Sequence, residues 1–268
     1  MGHASQRRLR LEDDLRRAID YDELSLYYQP IVDLVSMQTI GFEVLLRWQH
    51  SKYGAISPVE FIPIAEESGM IVKLGEWVLF QTCQQLQTWK QEGLEAGQLS
   101  LSVNVSSRQL SSGLIAQIDQ ALRTYDIQPG ELKVEITETV VMSDLNQAKL
   151  VLKQIKERQI PILLDDFGTG YCSLNYLYEL PIDTLKIDRS FVRTIDERPD
   201  RRQVLDTIFQ LADSLGLKVI AEGVENLEQL AYLERQNRCY GQGYMFSKPV
   251  PATIARTLLG QVWSKLAG

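Results

Sequence analysis

Histidine is nearly missing from this 268-residue chain: His3 and His50 are the only two, which excludes a histidine-based metal centre. Cysteine is also scarce. Cys83, Cys172 and Cys239 are odd in number, widely separated and without paired metal-ligand spacing, so inert packing thiols are expected rather than a disulfide framework. Positive charge is in deficit, with 28 Lys and Arg against 35 Asp and Glu, the opposite of what a nucleic-acid polymer attracts. No apolar run approaches the roughly 20 residues that span a bilayer. The basic opening Arg7-Arg8-Leu9-Arg10 is not followed by a signal-peptide core. A cytoplasmic domain without membrane contact is therefore expected, whatever anchors the parent protein. Pro-, Gly- or Ser-rich linkers are lacking too, which favours one domain. Met1 to Ser5 read as residues appended to a piece of a longer protein.

What is present is a folded-protein composition, 44% hydrophobic and 24% charged, in a length that a single barrel commonly reaches. Eight strand-like runs stand out: Leu24 to Asp33, Thr39 to Trp48, Leu99 to Ser106, Glu131 to Glu138, Pro161 to Asp165, Thr184 to Asp188, Lys218 to Glu222 and Tyr240 to Phe246. Amphipathic helical stretches separate most of them, such as Leu145, Ala148, Val151, Leu152 and Ile155, or Val204 to Leu215 closed by Gly216. Alternating strands and helices predict a parallel sheet, and eight strands a closed (β/α)8 barrel. The connection around Val35 to Gln38 is far too short for a parallel crossover. Strands one and two must then form a hairpin. The fold class is an α/β modified TIM barrel with its first strand antiparallel to the others. Residues 1–20 would hold an N-terminal helix near Leu9 to Ile19, and residues 21–268 the barrel.

Strand alternation sorts the polar residues to one face. In Leu99 to Ser106 the inward set is Ser100, Ser102, Asn104 and Ser106. By the same reading Glu135 opposes Val134 and Ile136, Glu43 and Arg47 oppose Phe42, Val44 and Leu46, and Lys186 and Asp188 oppose Leu185 and Ile187. Glu43, Asn104, Glu135, Asp165, Asp166, Lys186, Glu222 and Gln242 lie in or just after strands, where a barrel builds its active site. Converging carboxylates repel one another unless a divalent cation joins them. Oxygen donors without His or Cys favour Mg²⁺, Mn²⁺ or Ca²⁺ over zinc. A shared aspartate such as Asp165 could bridge two ions, the arrangement suited to in-line displacement at a phosphodiester. Asp165-Asp166-Phe167-Gly168-Thr169-Gly170 serves equally as a helix cap and turn or as a loop over the site. Asp188, Glu138 and Glu225 read as braces for their neighbours. Tyr171, Trp48, Phe61 and Ile62 read as core.

These motifs resemble the EAL-domain phosphodiesterases of the bacterial second messenger cyclic di-GMP. The likeness is carried by Tyr28-Gln29-Pro30-Ile31, Gly41-Phe42-Glu43-Val44-Leu45-Leu46-Arg47-Trp48, Ser102-Val103-Asn104, Glu135-Ile136-Thr137-Glu138, Asp165 to Gly170, Lys186-Ile187-Asp188, Ala221-Glu222-Gly223-Val224-Glu225 and Gln242-Gly243-Tyr244. The resemblance implies hydrolysis of cyclic di-GMP to linear 5′-pGpG with two Mg²⁺ or Mn²⁺ ions and inhibition by Ca²⁺. It implies Glu43, Asn104, Glu135 and Asp165 as ligands of one ion and Asp165 and Asp166 as ligands of the other. Lys186 then helps activate the attacking water, Glu222 holds a water or acts as base, and Gln242 completes the polar surroundings. Arg47 would contact phosphate, Gln29 would line the guanine region, and Asp188 would belong to the substrate-binding set. Glu138 would anchor the loop after Asp166. A homodimer and N-terminal sensory or GGDEF-type partner domains are implied as well. The sequence departs from the family at Val44, which replaces alanine, at Cys239, which replaces aspartate, and at Cys172, which replaces serine. Two rivals stand beside this reading: a cyclic di-GMP receptor without turnover, and a metal-assisted barrel that abstracts protons from a carboxylate substrate.

Overall fold

A computed structural model of the chain describes residues 3–94, 99–168, 174–197, 202–236 and 238–263. The strands are β1 (Leu24–Asp33), β2 (Gln38–His50), β3 (Gly54–Ile56), β4 (Ser100–Asn104), β5 (Leu132–Thr137), β6 (Ile162–Phe167), β7 (Thr184–Ile187), β8 (Lys218–Glu222), β9 (Cys239–Gln242) and β10 (Val250–Pro251). The helices are α1 (His3–Ala18), α2 (Pro58–Ser68), α3 (Ile71–Gln91), α4 (Ser112–Tyr125), α5 (Glu138–Ser143), α6 (Leu145–Glu157), α7 (Leu174–Glu179), α8 (Arg189–Val192), α9 (Thr194–Glu197), α10 (Arg202–Ser214), α11 (Leu227–Leu233) and α12 (Ala252–Leu258). Around the barrel the order is β1-β9-β8-β7-β6-β5-β4-β2, and the β1–β2 pairing closes it. β1 is antiparallel to both neighbours, while the pairs from β2 through β9 are parallel. That is the expected modified TIM barrel.

Alternation within each strand decides what lies on either side of the wall. Phe42, Val44, Leu101, Val103, Val134, Ile136, Leu164, Leu185 and Ile187 are buried in the main core, between strands and helices. Each such side chain contributes roughly 1.5–3 kcal/mol on burial. Val44 therefore adds apolar bulk away from Glu43, as expected. A second core joins α1 to the barrel flank through Leu11, Leu15 and Ala18 against Trp48, Phe61 and Leu74. Inside the barrel a small cluster, Ile31, Leu163 and Ile220, forms an apolar layer.

Several boundaries differ from expectation, for local reasons. The run after Tyr240 is strand only to Gln242, because a turn starts at Gly243, whose carbonyl accepts from the Phe246 and Ser247 N–H groups at 3.1 Å. β6 extends two residues past Asp165, through a register shift against β7. Two short strands, β3 and β10, were not anticipated; they extend the hairpin on either side. Trp48 and Phe61 are core, whereas Ile62 is only partly buried. Cys83 and Cys239 are buried and free, and burial pushes the Cys83 thiol up to about 12, consistent with inert packing. Tyr171, Cys172 and the loop segment Thr169-Gly170 lie outside the described residues.

Candidate active site

Each of the eight barrel strands delivers one polar side chain to the same end of the interior: Gln29, Glu43, Asn104, Glu135, Asp165, Lys186, Glu222 and Gln242 in the order β1, β2, β4 to β9. The register sets them side by side, with Gln29 opposite Glu43, Asn104 beside Glu135 and Glu222 beside Gln242. Parallel strands all end here, so this is the C-terminal rim on which (β/α)8 barrels carry their sites.

Lys186 is the hub. Its side chain is fully buried, and Nζ lies 2.5 Å from Glu135 Oε2, 2.7 Å from Glu222 Oε1, and 3.2 Å from both Glu43 Oε2 and Asp165 Oδ1. Glu43 is held further by Asn104 Nδ2, which donates to Oε1 at 2.9 Å, and by Gln242 Nε2, which donates to Oε2 at 2.7 Å. Gln242 Nε2 also reaches Gln29 Oε1 at 3.2 Å, and Gln29 Nε2 donates to the Ser247 carbonyl at 3.3 Å. Two buried acceptors, Glu135 Oε1 and Gln242 Oε1, have no hydrogen-bond partner among the described residues.

Burial and charge pull the acids apart. Burial raises Glu43, but the Lys186 ammonium and the two amide donors outweigh it and hold this carboxyl low. Glu135 and Glu222 are pushed up to about 8, first by burial and then by neighbouring carboxylates, despite Lys186. Asp166 is raised by burial, then by Asp165 and Asp188. Burial works against the Lys186 charge, yet its surrounding carboxylates hold its pKa well above the ordinary lysine value.

β6 contains the one geometric surprise. Strict alternation sends Asp165 inward and Asp166 outward. Instead Asp166 adopts a left-handed backbone at φ 55°, its N–H donates to Asp165 Oδ1 at 2.9 Å, and the β6–β7 register shifts at this point. Such a bulge re-aims a side chain. Both aspartates consequently face the pocket.

Oxygen ligands fall into two groups: Glu43, Glu135 and Asp165, and Asp165, Asp166 and Glu222, each with ligand atoms within 4.8 Å of one another. Asp165 belongs to both. Five carboxylates against one ammonium leave four formal negative charges, which two divalent cations would match. The orphaned Glu135 oxygen and the all-oxygen donor set fit Mg²⁺ or Mn²⁺. Asn104 is exposed and tied to Glu43 through its nitrogen, so its carbonyl is the end available to a cation.

A cleft of about 280 Å³ opens over these groups, lined by Gln29, Glu43, Leu45, Asp165, Glu222 and Gln242. Leu45 is shared with a largely apolar groove of about 310 Å³, walled by Pro58, Ile62, Ile71 and Leu74. Arg47 stands at that groove with its guanidinium 5.5 Å from the Tyr27 ring centre. Asp188 is not among the residues lining either space; it caps α8 by accepting from the Ser190 N–H at 2.9 Å. Glu138 is buried at the start of α5, outside the carboxylate cluster, and residues 169–173 of the loop assigned to it are not described. Arg189, Glu225 and Tyr244 line the cleft although the sequence reading gave them no chemistry. Their signal was position alone: each follows a strand-end residue at the rim.

The architecture is thus a (β/α)8 barrel with a reversed first strand and an all-oxygen pocket at its C-terminal rim. The sequence profile described as EAL domain matches residues 12–249, and the chain belongs to the EAL family. It is 38% identical over 253 residues to the bifunctional diguanylate cyclase/cyclic di-GMP phosphodiesterase MucR of Pseudomonas aeruginosa, covering 94% of this chain and 37% of that protein. With the cyclic di-GMP phosphodiesterase PdeR of Escherichia coli it shares 38% over 243 residues, or 90% of this chain and 36% of PdeR. The chain spans about a third of the length of these curated relatives. The solved PaMucR phosphodiesterase in complex with c-di-GMP superposes with a TM-score of 0.86 at 38% identity, covering 92% of this chain and 99% of that one. Among the described residues no helix is long and apolar enough to cross a membrane.

Proposed function

We propose that the chain is a metal-dependent phosphodiesterase that opens cyclic di-GMP to linear 5′-pGpG. The observation that carries this reading is the pair of oxygen-ligand groups meeting at Asp165 around a lysine. Glu43, Asn104, Glu135 and Asp165 would hold one Mg²⁺ or Mn²⁺, and Asp165 and Asp166 the second, with Glu222 beside it. When bound, two such ions neutralise phosphate charge and lower the pKa of a water.

The chain's own residues do the rest. Arg47 provides a planar cationic fork for phosphate oxygens, and Arg189 a second cation on the cleft wall. The apolar groove beyond Leu45 takes a guanine face, and Gln29 presents polar atoms to the other base. Lys186 and Glu222, 2.7 Å apart, hold the attacking water: the ammonium donates to it and Glu222 accepts its proton. Gln242 keeps Glu43 turned toward the lysine. The water oxygen bonds to phosphorus, the bond from phosphorus to the 3′ oxygen breaks, and that oxygen takes a proton from solvent to leave as the 3′ hydroxyl while Glu222 gives its proton back to solvent. Asp188 supports this end of the barrel by fixing α8, and Glu138 anchors the loop that follows Asp166. We assign the working unit to a cytoplasmic homodimer, with sensory or GGDEF-type domains elsewhere in the parent protein.

A chromatographic time course of purified protein with cyclic di-GMP tests this. Product pGpG should appear with Mg²⁺ or Mn²⁺ and be absent with chelator or Ca²⁺, whose larger, looser shell spoils the geometry. Binding without product in every metal would make the chain a receptor. No selectivity for the guanine dinucleotide would favour the proton-abstracting barrel.

A further inference from the structure

The barrel has a second cavity at its opposite end. It measures about 310 Å³ and opens where the parallel strands begin, among Ser100, Lys133, Thr184, Lys218 and Tyr240. Ile31, Leu163 and Ile220, each no more than 4% exposed, close its inner side and separate it from the carboxylate pocket. Nothing in the proposed hydrolysis uses it.

Lys133 is the unexplained group there. It shares the inward face of β5 with Glu135 and is partly buried, yet it makes no hydrogen bond or ion pair among the described residues. A partly buried ammonium with no hydrogen-bonded partner is costly to keep. Glu135 and Asp183 attract it through space without a hydrogen bond, and Asp183 is engaged elsewhere: Oδ1 accepts from Lys156 Nζ at 2.6 Å, and Oδ2 accepts from the Ile162 N–H at 2.8 Å. Lys218 at the mouth is exposed, its Nζ 5.9 Å from the Tyr240 ring centre, and adds positive field without neutralising anything. The inner part of the wall is aliphatic, formed by Ile31, Leu163, Ile182 and Ile220, while Ser100, Thr184 and Tyr240 add polar edges.

We propose that this cavity binds a small organic monoanion, a carboxylate with a compact apolar body, whose charge pairs with Lys133 and whose body lies against the aliphatic wall. The volume sits at the lower end of small-molecule pockets. One interior cation without a hydrogen-bonded partner calls for one negative charge, and Asp183 on the wall disfavours a dianion. The Thr184 hydroxyl, which makes no hydrogen bond among the described residues, is placed on the lining to donate to the second carboxylate oxygen.

Calorimetric titration of the full chain with hexanoate, hexanamide and inorganic phosphate, alongside spectra of protein carrying ¹³Cε-lysine, tests the assignment. Hexanoate should bind saturably and shift one lysine resonance that is absent in Lys133→Met. Hexanamide, and hexanoate on Lys133→Met, should bind at least about 10-fold more weakly, the scale of one charge-assisted hydrogen bond. Cyclic di-GMP turnover should be the same in both proteins. Absence of saturable hexanoate binding, equal affinity for the neutral amide, or tighter binding of phosphate would each overturn the proposal. The comparison of hexanoate with hexanamide needs only the unsubstituted chain, so a misfolded variant leaves it decisive.

Discussion

The two ends of one barrel interior carry opposite electrostatics, although they lie two residues apart along every strand. At the rim stand Glu43, Glu135, Asp165, Lys186, Glu222 and Gln242; two residues nearer the strand starts stand Gly41, Lys133, Leu163, Thr184, Ile220 and Tyr240. The upper set gathers five acids about one lysine, counting Asp166. The lower set has two aliphatic side chains and one lysine without a hydrogen-bonded partner among the described residues. Ile31, Leu163 and Ile220 fill the level of Lys133 with apolar bulk, so the acids reach that lysine only through Glu135, its neighbour two residues on along β5. Low permittivity strengthens both ends, because charges there are not screened by water. The difference teaches that strand alternation says only which side chains point inward; their function depends on the depth at which they point.

Breaking the upper end should give the largest effect. Asp165→Asn removes the carboxylate common to both ligand groups and should lower pGpG formation by at least about 10²–10³-fold, the scale of losing one preorganised electrostatic partner. Cyclic di-GMP binding, followed by calorimetry, should largely survive. Turnover within a few fold of the parent would sink the shared-aspartate arrangement.

Next comes the cation that holds the acids together without metal. Lys186→Met leaves four facing carboxylates with no ammonium, and the chelated protein should lose roughly 3–5 kcal/mol in urea unfolding. Mn²⁺ should restore much of that stability but little turnover. Full catalytic rescue by Mn²⁺ would show that the lysine only balances charge.

A pH series sharpens the same contrast. Burial raises Glu135 and Glu222 from an ordinary 4.5 to about 8, so between those values the folded state binds more protons than the unfolded chain. Stability of the chelated protein must then fall as pH rises through this window. Glu43, held low by Lys186, titrates beneath it. Divalent ions displace those protons, so the melting-temperature gain from Mg²⁺ should grow from pH 5 to 8; a gain that shrinks contradicts the protonation pattern.

The smallest effect belongs to the dividing layer. Ile220→Val trims one methylene from a buried cluster and should cost about 0.5–1.5 kcal/mol with turnover unchanged. A matching loss of activity would mean that the two ends are coupled.

Much of this was legible before the structure. The short Val35 to Gln38 connection announced the reversed strand, and period-two alternation placed Glu43, Asn104, Glu135 and Lys186 inside. Asp166 was harder. Its carboxylate reaches the pocket through a left-handed backbone and a register shift, and neither leaves a mark in hydrophobic periodicity. The fourfold contact of Lys186 depends on where strands separated by up to 143 residues meet, which spacing along the chain does not encode. Arg189 was passed over because it follows the strand-end residue that caps α8 and carries no pattern of its own. Lys133 was missed for a related reason: alternation put it inward with Glu135, but only the closed barrel shows that, among the described residues, no acid hydrogen-bonds to it.

The central claim is a two-cation pocket hinged on Asp165, and counting bound ions tests it most directly. Paramagnetic resonance and equilibrium dialysis of the chain with Mn²⁺ should give two ions per chain, magnetically coupled, and no coupled pair in Asp165→Asn. A single uncoupled ion in the unsubstituted chain, or an unaltered pair in Asp165→Asn, would contradict the account.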